Sequence, residues 1–277
     1  MTTEPQAQPA VLVAGVGKTF VVGRGRSAGT VVALDAIRLS VAAGEFVSLI
    51  GPSGCGKSTL LRLIADLDQP SIGAITVFGK TARQARIDQD YGIAFQQAGL
   101  LPWRSVAANI ELPLELHGIG RAARQKRAAE LLALVGLSDF ADRFPDQLSG
   151  GMQQRVAIAR SLAESPELLL MDEPFGALDE MTRERMQGEL VRICGETGAA
   201  VVFVTHSIPE AVFLSDRVVV MSARPGRIVG IVDVALGRTG DRDDDLREAS
   251  TFFASVKAVR EALHGTPAAA ITGVETR

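Results

Sequence analysis

Nine consecutive residues, Gly51-Pro52-Ser53-Gly54-Cys55-Gly56-Lys57-Ser58-Thr59, constrain this chain more than any other stretch. They fit the pattern G-x-x-x-x-G-K-[ST], with Gly51, Gly56, Lys57 and Ser58 at the fixed places. Glycines let backbone N–H groups turn inward and approach a polyphosphate, where a Cβ would intrude. In such a loop the lysine reaches β- and γ-phosphates and the next hydroxyl takes Mg²⁺. Here those residues are Lys57 and Ser58, with Pro52, Ser53, Gly54, Cys55 and Thr59 completing the cradle. The flanks agree. Residues 44–50 form a short apolar run that reads as a buried strand, and residues 59–65 carry helical periodicity away. Phosphates would then lie at a helix N-terminus. The rival reading, a glycine-rich turn that binds nothing, leaves the conjunction of strand, loop, lysine and helix without a reason.

Around this loop the chain alternates strands and helices, which predicts an α/β fold. Residues 11–22 and 31–41 are rich in β-branched side chains and read as an antiparallel pair ahead of the main sheet. Phe20, at the end of the first strand, either stacks on an aromatic base or fills the core or its rim. Short strands are expected at 74–79, 91–95, 168–173, 199–206 and 217–221, with a turn at Arg224-Pro225-Gly226. Between 97 and 163 helical patterns dominate, notably 121–135 and 151–162, as in a helical insertion. Three strand tips carry chemistry: Gln96, Asp172 with Glu173, and His206. Open parallel sheets bind ligands at such carboxyl ends. Asp172 suits a Mg²⁺-side carboxylate and Glu173 a general base for an attacking water, although paired acids at a strand end also serve as helix caps. Farther on, the acidic run 241–245 is expected to precede and cap a helix whose stripe is Leu246, Ala249, Phe253, Val256, Val259 and Leu263, ended by Gly265. Residues 1–10 read as a disordered lead, 11–238 as one nucleotide-binding unit, and 239–277 as a terminal helix and loose tail.

With 29 basic against 32 acidic residues, the net charge of −3 gives no electrostatic reason to expect nucleic acid. Cys55 lies in the loop and Cys194 in a helix-like stretch far away, so a disulfide is not expected and a reducing compartment is. No segment reaches the ~18 apolar residues of a membrane span. The first ten residues lack an apolar signal core. The expected location is the cytoplasm, with any membrane association made through a partner.

A second anion-binding element, Leu148-Ser149-Gly150-Gly151-Met152, opens another helix. Here the sequence resembles the ATP-binding subunits of ABC transporters, over roughly residues 11–230 and with every motif in order. The resemblance implies a RecA-like parallel sheet core with an N-terminal antiparallel β subdomain and an inserted helical subdomain at 97–163. It implies Phe20 as the adenine-stacking aromatic, Gln96 as the Q-loop residue touching Mg²⁺ and water, Ala177-Leu178-Asp179 as the D-loop, and His206 as the switch histidine on the γ-phosphate. It further implies a head-to-tail homodimer in which Ser149, Gly150 and Gly151 bind the ATP held by the other copy. Two positions depart from the family: Asp66 where glycine is usual, and Met152 where glutamine is commoner.

Three functions compete: a transporter ATPase, a soluble ABC-type ATPase acting on nucleic acid or ribosomes, and a P-loop kinase or non-hydrolysing module. The last leaves Ser149 and Glu173 without a role. The second usually needs long insertions or tandem cassettes, which are lacking here. The apolar group Leu100-Leu101-Pro102-Trp103, straight after Gln96, supports the first. In relatives this is the edge of a groove that takes a coupling helix from the membrane permease, though Trp103 also suits a core. These motif forms are most similar to the nitrate/sulfonate/taurine importer ATPases, which work on the cytoplasmic face of the membrane with a permease and an extracytoplasmic substrate-binding protein. An exporter ATPase is the runner-up.

Overall fold

A computed structural model describes residues 8–23, 29–237, 242 and 244–265. Residues 1–7, 24–28, 238–241, 243 and 266–277, which include most of the expected disordered lead, part of the acidic run and the loose tail, lie outside the described residues.

Two long strands come first, β1 (Val11–Val22) and β2 (Gly29–Val41), paired antiparallel with Val11 opposite Val41. Their alternation sets the register: Val11 and Val13 point into the core while Leu12 and Ala14 face out. At Gly15 a bulge shifts the phase by one, so that Val16 also points inward. The apolar run before the phosphate loop is β3 (Phe46–Ile50), buried throughout, and α1 (Lys57–Ile64) leaves the loop. β4 (Ile72–Val77) returns to pair with β1, and β5 (Lys80–Thr81) closes that four-stranded sheet in the order β2-β1-β4-β5.

The chain then enters the second sheet. A short helix α2 (Ala82–Ile87), capped by the Thr81 hydroxyl, leads to β6 (Tyr91–Ala94). Three α-helices separate β6 from the next strand: α3 (Val106–Leu116), α4 (Arg121–Leu134) and α5 (Gly150–Ser161). Strands and helices alternate thereafter, as β7 (Leu168–Asp172), α6 (Glu180–Thr197), β8 (Ala200–Val204), α7 (Ile208–Leu214), β9 (Arg217–Met221) and β10 (Ile228–Asp233), and finally α8 (Ser250–Leu263).

The second sheet has the order β10-β9-β3-β8-β7-β6, parallel except for β10 at its edge. Parallel strands need cover on both faces, and the sequence supplies apolar residues in both directions. Leu169, Met171, Val201 and Phe203 pack into one core with Phe213 and the inserted helices. Leu168, Leu170, Ala200 and Val202 pack into the other with α1 and the first sheet. Among the described residues no helix is long and apolar enough to cross a membrane.

The terminal helix starts later than expected, and Phe252 rather than Phe253 joins Val256, Val259 and Leu263 on the core. A one-turn 3₁₀ segment, Asp244–Glu248, comes first, and α8 starts only at Ser250 with Ala249 as an N-cap that makes no side-chain bond. Leu246 and Ala249 therefore do not set its stripe. Phe252, Val256 and Val259 face the core, while Phe253 is exposed. No acid lies in the first turn of α8, so the acidic run does not cap it.

Phe203 is fully buried in β8, with ring centroids of Phe46 and Phe175 each 5.8 Å away. Phe175 belongs to the loop after β7, so this trio ties that loop to the sheet. Phe203→Ala is expected to lower the unfolding free energy by about 3–5 kcal/mol, measured by chemical denaturation.

Candidate active site

The first turn of α1 is built by its N-cap, Gly56, at φ +101°, where a Cβ would meet Leu34 Cδ2 at 2.6 Å. The lysine that follows folds back over the loop. Lys57 Nζ donates to Gly51 O at 2.8 Å and Pro52 O at 3.2 Å, and lies 3.7 Å from the buried Cys55 Sγ. One residue on, Ser58 Oγ donates to Asp172 Oδ1 at 2.9 Å, joining the helix to the tip of β7. Burial pushes the Asp172 carboxyl up, and the bond from Ser58 opposes that shift. Both groups are hard oxygen donors, which suits Mg²⁺.

Glu173 follows in the left-handed region at φ +47°. A non-glycine residue is strained there and stays only where its surroundings over-determine it. Its N–H donates to Val204 O at 2.9 Å, anchoring the turn to β8. The strained turn aims the carboxylate at two other strand tips. Gln96 Nε2 donates to Glu173 Oε2 at 3.2 Å, and His206 Nδ1 lies 3.3 Å from the same oxygen.

A cleft of about 460 Å³ adjoins this cluster, lined by Phe20, Ala33, residues 53–59, Gln96, Glu173 and Arg224. Phe20 is 37% exposed, with Lys18 Nζ 4.9 Å from its ring centre, so it is a wall and not core. Other candidate residues are not brought into the cleft. Ser149 caps α5, its Oγ accepting from Met152 N at 3.3 Å. Asp179 caps α6 by accepting from Thr182 N at 3.0 Å, and that backbone bond holds its carboxyl below its ordinary value. Gly150 lies beside Ser149, and a Cβ on Gly151 would meet Ala177 O at 3.2 Å, so the two capped loops touch each other instead. Trp103 is 72% exposed and is not a core residue.

Asp66 takes the left-handed conformation at φ +49° that glycine usually fills, and Arg86 Nε holds its carboxylate at 2.9 Å. Sequence reasoning assigned Arg224 to a turn and gave it no place in the cleft. The hairpin between β9 and β10 is pressed against the phosphate loop: Gly226 N donates to Ala33 O at 2.9 Å, and a Cβ on Gly226 would meet Cys55 O at 2.0 Å. This contact brings Arg224 Nη2 to 3.4 Å from Gly54 O. The only sequence signal was the Pro225-Gly226 pair.

Fold and cleft together are those of a P-loop ATPase of the cassette kind. The family described as ABC transporter matches residues 34–176, and the chain belongs to that family. It is 50% identical over 240 residues to the taurine import ATP-binding protein TauB of Rhizobium johnstonii, covering 86% of this chain and 91% of that one. It is 49% identical over 219 residues to the aliphatic sulfonates import ATP-binding protein SsuB 1 of Xanthomonas axonopodis, covering 79% and 86%. Among solved structures, the dimeric post-hydrolysis state of the ATP-binding cassette MJ0796 bound to ADP and Pi superposes with a TM-score of 0.73 at 36% identity, covering 81% of this chain and 98% of that one. The chain is thus an ABC ATPase.

In the metal-free protein, burial raises the folded Asp172 carboxyl above its ordinary value of 3.8. Folding then disfavours the ionised form, a penalty present at neutral pH that disappears as pH falls through the raised value. Asp172→Asn mimics the protonated state and still accepts from Ser58. It is expected to melt higher than the unsubstituted chain at neutral pH, with the gap closing as pH is lowered toward 3.8, read by calorimetry.

Proposed function

We propose that this chain is the ATP-hydrolysing subunit of an importer for a small anion of the nitrate, sulfonate or taurine kind. It would work on the cytoplasmic face of the membrane, bound to a separate permease that is fed by an extracytoplasmic substrate-binding protein. Two copies face head to tail. Each ATP lies between residues 51–59 of one copy, with its adenine on Phe20, and Ser149, Gly150 and Gly151 of the other, with Asp179 beside them.

The observation that carries this reading is the Glu173 carboxylate, within 3.3 Å of His206 and 3.2 Å of Gln96 at the mouth of the phosphate loop. An acid so held can accept the proton of a water as its oxygen attacks the γ-phosphorus. The bond from that phosphorus to the β-phosphate bridging oxygen breaks, leaving ADP and phosphate. Negative charge spreads over the γ-oxygens during transfer. Lys57, the backbone N–H groups of the loop and His206 meet that charge. Ser58, Asp172 and Gln96 would hold Mg²⁺, which when bound would supply further charge neutralisation.

The dimer reading is supported by the position of Ser149, a capped helix N-terminus outside the cleft of its own chain, and by the dimeric structure of the MJ0796 cassette. Permease docking is supported by the exposed Trp103 and by a groove of about 300 Å³ lined by Phe95, Leu112, Pro113, Leu116 and Arg160. Arg160 donates to Ala98 O and Gly99 O at 2.8 and 2.9 Å, so the groove wall is tied to the segment between Gln96 and Trp103. A helix inserted there would pull on the residue that bonds Glu173.

Glu173→Gln is expected to slow turnover by at least about a hundredfold and to accumulate as an ATP-bound dimer on size-exclusion chromatography; undiminished turnover sinks the assignment. Trp103→Ala is expected to weaken recovery of the chain with permease-containing membranes by about tenfold while leaving the ATPase rate of the isolated chain unchanged. Equal recovery would rule out docking at this edge.

A further inference from the structure

A second polar system lies behind the strand tips, and the chemistry described so far makes no use of it. Thr205, Gln187 and Glu210 are all sealed from solvent. Buried polar groups persist where each finds a partner, and here the partners form a chain. The Thr205 hydroxyl donates to Glu210 Oε2, and Ser207 N donates to Thr205 Oγ1 at 3.0 Å. Glu210 N donates in turn to Ser207 Oγ at 3.4 Å, the N-cap of α7. The residues on either side of His206 are thereby tied to one residue, Glu210.

The other oxygen of that carboxylate, Oε1, accepts from Gln187 Nε2 of α6 at 2.9 Å. An amide has one donating end and one accepting end, and Gln187 Oε1 accepts from Arg247 Nη2 at 2.7 Å. Arg247 sits in the 3₁₀ turn before α8, its guanidinium 3.6 Å from the ring centre of Phe213 on α7. Five positions earlier the buried Arg242 donates from Nη1 to Phe213 O at 2.9 Å and Ser215 O at 3.0 Å, at the far end of α7. Helix α7 is therefore gripped at its carboxyl end by the segment that follows β10, and that segment reaches Glu210 near its amino end through Gln187. Gln187, Glu210, Arg242 and Arg247 all lie beyond residues 34–176, the part matched by the family.

We propose that Arg247 is a positioning residue for ATP hydrolysis, acting through Gln187 and Glu210 on the Thr205-His206-Ser207 turn. The segment after the last strand thus helps set where His206 stands. The proposal rests on the reading of His206 as a γ-phosphate ligand. The physics is directional. With the Arg247 donor in place, the Gln187 amide can present only its N–H₂ end to Glu210. Without it, the Gln187 oxygen loses its donor inside the protein, and the amide that donates to Glu210 is held less firmly. Burial already pushes the Glu210 carboxyl up, so losing a donor favours protonation and loosens the bond from Thr205 that fixes the turn.

The test measures MgATP hydrolysis and melting temperature on the full chain. Arg247→Met keeps an apolar contact on Phe213 but removes the donors, Gln187→Met removes the amide in similar volume, and Arg247→Lys keeps a charged donor. Lys257→Ala, on the exposed face of α8, is the control. Arg247→Met and Gln187→Met are expected to lower kcat about fivefold with KM for ATP essentially unmoved, because the phosphate loop and Phe20 are untouched, and with a melting temperature lower by a few degrees, because a buried polar group loses its partner. Arg247→Lys is expected to recover most of the loss. Unchanged kcat in both methionine variants overturns the proposal. So does a joint fall in melting temperature and rise in KM, which marks a packing role only. His206→Ala separates the two readings: full turnover there removes the histidine's role and the relay with it, whereas turnover lost in His206→Ala but kept in Arg247→Met removes the relay alone.

Discussion

Strands paired in parallel finish at a common edge, and in this molecule that edge carries the candidate site. β3 ends just before Gly51, β6 just before Gln96, β7 at Asp172 and β8 just before His206. Hydrogen bonding between β7 and β8 sets Asp172 opposite Val204, so the residues beyond each strand emerge side by side. The price of this arrangement is burial on both faces, met on one side by α1 and the first sheet and on the other by the inserted helices and α8. A polar substitution in the middle of β7 or β8 would therefore disturb the tips as well as the core.

Charge is arranged at this edge with little redundancy. Asp172 is buried and bonded to Ser58, while Glu173 is turned by a left-handed backbone toward Gln96 and His206. Adjacent acids are thus given separate surroundings through their backbone conformations alone. That separation allows one to favour a cation and the other a water. Behind them, α7 links the histidine turn to the end of the described chain through Glu210, Gln187 and Arg247.

Much of the fold class was legible because its signals are local. The phosphate loop has fixed spacing, and the strands at 168–172 and 199–205 are unbroken apolar runs of the length parallel sheets require. Strand β10 was missed, since Ile228-Val229-Gly230 lacks a clear turn before it beyond the Pro225-Gly226 pair. Helix α3 carries Pro113 inside it, which blurred its period. On α8 the expected Val256, Val259 and Leu263 do pack on the core, but Phe252 is buried in place of Phe253, and Leu246 and Ala249 precede the helix. Arg224 and Arg247 were illegible for another reason. Their partners, Gly54 and Gln187, lie 170 and 60 positions away, and an arginine on an apparent loop gives no hint of what the fold will set beside it.

The contact at Gly226 has a mechanical meaning. Backbone from β2, from the phosphate loop and from the β9–β10 hairpin meets there without an intervening side chain, and Arg227 adds an ion pair to Asp35. Three segments riveted at one point cannot hinge against one another. The span from Phe20 to Lys57 is accordingly a gauge of set length, cut by the polypeptide itself, and whatever bending accompanies turnover has to fall elsewhere in the molecule.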